Sequence, residues 1–483
     1  MNTLTALHLG AMIVRQKGTP LRRFFHASFS IALRLFFRRI ETSGEEVVPS
    51  SGPVIFVMNH PNGMVDPALV YCALPRRISF LAKSTLFGMP GVGLLLRTVE
   101  ALPLYRQVDK ADSSLNRKTF EVCFERLRRG GCIALFPEGI SHSAPRMLPL
   151  KTGAARIALG AISLRDAEGK SLALPEPLQI QPVGLYYTSL TKMRGEVLLR
   201  FGVPFMVAPV ALDADGQPPR DAVSELTQHI ENALHEVTLN VGSHSELEEI
   251  TLAEDLFSSL YETIDIRATL TESFRRLRNL AAGLQHYGTQ EPDAVAALRA
   301  RVRVYESELR ELGLKPQMLA VSQHSRWYVL WHVVARFLWL LAWLPVALAG
   351  AVIHYPAHWM GQFLARRYYK HDADESVSSV QMLSAMMFMP LTWILVTALC
   401  YFLGGWRVAL AAFPLTILAG YVALKVSEGL VDLRGWLKAA WLLLRRRALF
   451  LRLLLERKAL HHELSRLGSD METSVAPKPP PTN

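Results

Sequence analysis

The sequence predicts an α/β unit followed by a helical insert and a C-terminal α-helical membrane region, and three observations carry that reading. Short apolar runs alternate with helical stretches from Ser51 to about Val207. The chain then turns polar, helix-forming and rich in acid–base pairs from about 217 to 314. Finally, Leu383 to Gly405 runs without a charge, and Val408 to Leu424 comes after only Trp406 and Arg407. A composition of 50% hydrophobic and 20% charged residues, with a mean hydropathy of +0.18, is too apolar for an ordinary soluble chain of 483 residues.

Residues 1–44 read as a basic arm for an anionic membrane surface. Arg15, Lys17, Arg22, Arg23, Arg34, Arg38 and Arg39 occur there with no acid before Glu41. Within it Leu21, Phe25, Phe29, Leu33, Phe36 and Ile40 recur at helical spacing, which suits an interfacial amphipathic helix and equally a helix packed on a core. Residues 45–210 form the α/β domain. Its expected strands are Val54 to Met58, Ile78 to Ala82, Ala101 to Tyr105, Cys132 to Phe136, Leu178 to Leu185 and Val197 to Phe201. A helix over Ser114 to Arg129 puts Phe120, Cys123, Phe124 and Leu127 on one face, with Gly130-Gly131 placed to end it.

Residues 211–322 are expected to be a solvated helical connector, and 323–460 to hold transmembrane helices and a basic amphipathic tail. Leu383 to Leu424 reads as a tight transmembrane hairpin. Phe337 to Ile353, interrupted by Pro345, reads as re-entrant or broken. Lys/Arg residues flank the hairpin on both sides, which predicts a multi-pass membrane protein with the α/β domain on the cytoplasmic face. Residues 461–483, ending PKPPPTN, are expected to be disordered. The formal charge of +11 needs an anionic partner. The basic residues lie beside apolar helices, so lipid is expected and nucleic acid is not. Four cysteines without C-x-x-C spacing indicate neither a metal site nor a disulfide framework.

Chemistry concentrates at the predicted strand ends, where α/β sites form. Asn59-His60-Pro61-Asn62-Gly63-Met64-Val65-Asp66 succeeds an apolar strand, and a His and an Asp there can act as base and orienter. Asp66-Pro67 could alternatively be a helix N-cap and first position. Phe136-Pro137-Glu138-Gly139 brings an acid to the same edge, Arg106 ends ALPLYR, and Lys151 and Gly153 open a helix suited to binding an anion. Together they point to one phosphate pocket. Gly139 to Ser143 fails as a G-x-S-x-G elbow, so a serine hydrolase using Ser141 is disfavoured, and His142 reads as structural.

NHPNGMVDP, ALPLYR, FPEGISH and IQPVG, in this order, resemble the four blocks of the glycerolipid acyltransferases that include glycerol-3-phosphate and 1-acyl-glycerol-3-phosphate acyltransferases, with FGVP from Phe201 to Pro204 closing the match. The resemblance implies an acyltransferase-type mixed sheet flanked by helices. It implies acyl transfer from acyl-CoA or acyl carrier protein as co-substrate, without a further cofactor or metal, to the hydroxyl of a phosphorylated glycerolipid acceptor. By resemblance His60 is the general base, Asp66 its partner, and Arg106, Glu138 and Gly139 belong to the acceptor pocket, with Pro182 in the fourth block. Two departures stand out. Five residues separate His60 from Asp66 where the common block has four, as in an NHPN-x-x-x-D sub-branch, and Ile140 and Ser141 replace the usual Thr and Arg, leaving Arg146 or Lys151 to supply the missing cation. A lipid-binding scaffold that no longer turns over is the competing reading.

Overall fold

The computed structural model describes residues 19–74, 76–89, 91–105, 116–163, 174–213, 216–258, 269–314, 326–368 and 374–475. They divide into two compact units, one formed by residues up to 240 together with 362–386, the other by 241–361 and 387–483.

The first unit is built on an eight-stranded mixed sheet. Its strands are β1 (Arg39–Ser43), β2 (Val54–Met58), β3 (Ile78–Lys83), β4 (Leu102–Leu104), β5 (Cys132–Leu135), β6 (Gln179–Tyr187), β7 (Glu196–Phe201) and β8 (Phe205–Met206). They lie in the order β1-β7-β6-β2-β5-β3-β4, with β8 on β6. β6 runs antiparallel to β7 and β8, and the remaining pairs are parallel. All six strands expected from the apolar runs form, within two residues of their expected ends.

The pleat explains why VIFVM is apolar throughout. Val54, Phe56 and Met58 enter the core on one face, Ile55 and Val57 the core on the other. Helices α1 (Pro20–Phe36) and α2 (Val65–Ala73) cover the first face, and a short α3 (Val92–Thr98) lies beside them. The second face is covered by α4 (Asn116–Arg128), α5 (Gly153–Ser163) and α6 (Arg220–Val237). Gly130, at φ 68°, ends the turn after α4 as its sequence position suggests.

Two expectations are corrected here. In the arm, Phe29, Leu33 and Phe36 of α1 sit in the sheet's core, where each contributes roughly 1.5–3 kcal/mol by burial. Ile40 is not part of the helix, since residues 39–43 form β1, an edge strand paired with β7. Phe24, Leu21 and Ile31 face outward on the opposite side of α1. The solvated connector likewise begins too early. α6 buries Ile230, Leu234 and Val237 against β6, so the α/β unit extends to residue 240 rather than 210.

The second unit contains α7 (His244–Ser258), α8 (Leu270–Gln290) and α9 (Pro292–Leu312), packed with α12 (Arg447–Val475). A capping box between Thr269 and Glu272 starts α8, and Gly313 in the left-handed region ends α9. Leu460 and Leu464 of α12 are buried, so the chain stays helical through Val475 where disorder was expected from 461; residues 476–483 lie outside the described residues. α10 (Arg326–Tyr368) runs unbroken through Pro345 and Pro356, correcting the re-entrant reading. α11 (Asp374–Arg445) is two helices meeting at Gly405, whose φ of 75° and ψ of −175° are essentially open to glycine alone. Trp393 and Phe413 meet edge to face across this point at 6.5 Å, so the two limbs fold back as a hairpin. Trp393 Nε1–H donates to His354 Nε2 at 2.9 Å, tying the hairpin to α10. Leu330–Arg367 and Ser379–Ala439 are long and apolar enough to cross a membrane.

Candidate active site

Parallel strands β2 and β5 end at the same sheet edge and bring NHPNGMVD and FPEG side by side. Asn59 clamps the end of β2 to β6, its amide donating to the Leu185 carbonyl at 3.0 Å and its oxygen accepting the Leu185 N–H at 2.7 Å. His60 Nδ1 then meets Asp66 Oδ2 at 2.8 Å. With Nδ1–H donated to the carboxylate, Nε2 keeps its lone pair, and His60 lines a cavity of about 2060 Å³. The ring is stacked on Phe136, 3.9 Å between centroids and 14° between planes, which fixes its tilt.

Asp66 is fully buried and does not cap α2. The N-cap is Met64, and Asp66 lies one residue inside the helix. Its Oδ2 also accepts the Asn62 N–H at 2.8 Å, and its Oδ1 accepts the hydroxyl of Tyr187 from β6. Burial raises the Asp66 carboxyl above its ordinary range, against the pull of the donors from His60, Tyr187 and Asn62. Burial first, and the adjacent Asp66 second, hold the Tyr187 phenol well above its ordinary value, so it stays a donor. Five residues intervene, the chain turns at Gly63-Met64, and the dyad closes.

Glu138 is 2% exposed, and protein donors take both its oxygens. Oε1 accepts the His60 N–H at 2.9 Å; Oε2 accepts the Leu148 N–H at 2.7 Å and a hydrogen bond from His142 Nε2. The His142 N–H returns to the His60 carbonyl at 3.1 Å. Glu138 therefore joins the first and third motifs by holding the backbone of His60. Gly139 makes this turn at φ 79°, and a Cβ there would stand 3.4 Å from Lys151 Cγ. Lys151 donates its N–H to the Pro137 carbonyl at 2.7 Å and lines the cavity with Lys83, Arg117, Arg128 and Arg156. Arg146 is exposed and lies off the cavity wall. Ser141, in the place of the missing arginine, does line it. Pro182 is buried within the sheet beside Val57, away from the cavity. Arg106 lies outside the described residues.

Sequence reasoning missed Tyr187, Asn59 and Phe136 as parts of this constellation. Asn59 and Phe136 stand inside the two motifs just past the strand ends, Asn59 beside His60 and Phe136 two residues before Glu138. Tyr187 comes soon after IQPVG, but nothing in LYY says which tyrosine turns inward.

Residues 39–186 match the family described as Acyltransferase, and residues 255–474 match the glycerol-3-phosphate acyltransferase 2 C-terminal domain. The first segment is thus similar to the acyltransferases. The chain is similar to an uncharacterized acyltransferase of Schizosaccharomyces pombe, 26% identical over 68% of this chain and 59% of the relative. Glycerol-3-phosphate O-acyltransferase 1 of Saccharomyces cerevisiae is 24% identical over 74% of this chain and 58% of its own length. Glycerol-3-phosphate O-acyltransferase 2 of the same yeast is 26% identical over 61% and 37%. The chain thus spans between about a third and three fifths of these curated relatives. The crystal structure of a 1-acyl-sn-glycerophosphate acyltransferase from Thermotoga maritima aligns with 47% of this chain and 86% of its own at a TM-score of 0.33 and 20% identity.

Proposed function

We propose that this protein is a membrane-bound O-acyltransferase of glycerolipid synthesis. It moves a fatty acyl group from acyl-CoA or acyl carrier protein to glycerol-3-phosphate, dihydroxyacetone phosphate or lysophosphatidate, with His60 as general base. One observation carries the reading: Nδ1 of His60 is committed to buried Asp66, and His60 lines a cavity of about 2060 Å³. That volume is about twice the upper end of ordinary ligand pockets, room for an acyl thioester and an acceptor together.

In this mechanism Nε2 takes the proton of the acceptor hydroxyl as its oxygen attacks the thioester carbonyl. Asp66 stabilises the imidazolium that results. Collapse of the tetrahedral intermediate breaks the carbon–sulfur bond, and the departing thiolate takes the proton from Nε2. The ester product then carries the acyl group, and His60 returns to its starting state. Lys151 on the cavity wall holds the acceptor phosphate together with Arg106. The outward row Leu21, Phe24 and Ile31 of α1 rests on lipid, and the apolar helices cross the membrane with the acyltransferase domain on the cytoplasmic side.

The test is transfer of labelled acyl groups from both donors to the three acceptors in detergent. Wild type labels one acceptor, and His60→Ala loses activity by roughly 10²–10⁴-fold. Activity untouched by that substitution would remove His60 as the base. Lys151→Ala raises the acceptor KM while leaving kcat nearly unchanged; an unchanged KM would take it out of the phosphate site.

A further inference from the structure

The turn between His60 and Asp66 is held from far along the chain. The Met64 N–H donates to Ser379 Oγ at 3.0 Å, a contact between residues 315 apart in sequence. Met64 caps α2, and the next N–H groups are satisfied locally, Val65 and Asp66 both donating to the Asn62 carbonyl. Met64 itself reaches outside its loop. Ser379 is 6% exposed, and Met382, one turn further on, is 1% exposed in the same core as α1 and α2. Val380 and Leu383 line the cavity that His60 borders. This short stretch opens α11 and belongs to the segment matching the C-terminal domain, while its packing belongs to the acyltransferase unit.

We infer that Ser379 is a positioning residue for the His60–Asp66 pair, and that the start of α11 completes the active site which the acyltransferase segment alone leaves open. A loop one residue longer has more ways to fold, and the Ser379 hydroxyl selects the one in which Asp66 reaches Nδ1. Val380 and Leu383 add apolar side chains to the lining of the same cavity.

The kinetic part rests on the acyl-transfer reading above, so the test adds a readout independent of turnover. In the full-length protein in detergent, Ser379→Ala lowers kcat about five- to tenfold, the effect of one lost hydrogen bond of ordinary strength, with the acceptor KM within about twofold. Ser379→Thr, which keeps the oxygen, restores most of the rate. Amide exchange at Met64, read by mass spectrometry, speeds up in Ser379→Ala and returns toward wild type in Ser379→Thr. Faster exchange without a fall in kcat, or a fall in kcat shared equally by both variants, would overturn the positioning role, as would no change in either. If wild type transfers acyl groups to no acceptor but Met64 exchange still depends on the hydroxyl, the acyl-transfer reading fails and the hold on the loop stands.

Discussion

Tyr187 hydrogen-bonds the oxygen of Asp66 that His60 leaves unused. The carboxylate is thus gripped from both sides, by His60 on the loop before α2 and by β6, the strand beside β2 in the sheet. Tyr187→Phe removes one donor from a buried carboxylate while conserving shape. Its expected cost is about 1–2 kcal/mol in the chemical step, roughly a five- to thirtyfold loss of kcat with little change in KM. Equal kcat in the variant would reduce Tyr187 to a packing residue.

Glu138 gives a second prediction, because its oxygens are engaged by His60, Leu148 and His142 rather than left for an acceptor. Glu138→Gln turns one acceptor into a donor facing other donors. The acyltransferase unit should melt lower by about 5 °C and lose activity in kcat. Glu138 also lines the cavity, and a variant with wild-type melting and only a raised acceptor KM would make it an acceptor contact rather than a support of the His60 loop.

Buried thiols supply a pH dependence. Burial pushes Cys72 and Cys123 up to about 12, and Cys132 to about 11. In the unfolded chain these groups ionise near 9, so above that pH the unfolded state gives up protons that the fold retains. Stability associated with them is full below about pH 9 and falls from there until the folded thiols titrate at about 11–12. Melting temperature measured from about pH 8 to 10.5 should fall more steeply in wild type than in a variant with all three changed to alanine. Parallel slopes would refute the assignment.

Gly405 sets the hairpin of α11 through a backbone conformation that alanine does not adopt without about 1–3 kcal/mol of strain. Cysteines introduced as Trp393→Cys and Phe413→Cys should cross-link efficiently with Gly405 present and poorly in Gly405→Ala. Equal yields would mean that packing alone folds the two limbs together.

Much of this architecture is legible in the sequence because buried parallel strands are continuous apolar runs, and VIFVM and CIALF announce themselves. β1 is not, since RIETS is polar, half-exposed along its length and paired with β7, so no local period marks it. The dyad is legible because both its members lie in one motif. Its supports are less so. Tyr186 and Tyr187 look alike until the pleat sends Tyr187 into the core, and Ser379 reaches Met64 from the far end of the chain. Arg22 reads as a surface charge beside membrane-seeking phenylalanines, yet it is 1% exposed and sits over the Tyr71 ring. Periodicity marks a face without saying what covers it.

The pairing of β1 with β7 also orders events while the chain is being made. Arg39 waits for Glu196, 157 residues later, before its edge of the sheet can zip, so the earliest-born strand is among the last to dock. Until then α1 lacks part of the sheet that covers its apolar side, and the nascent segment exposes Phe29, Leu33 and Phe36 to whatever surface the ribosome stands beside. Ser379 emerges later still, at the threshold of the apolar hairpin, so a growing chain holds His60 for much of its synthesis before the hydroxyl that accepts the Met64 N–H exists.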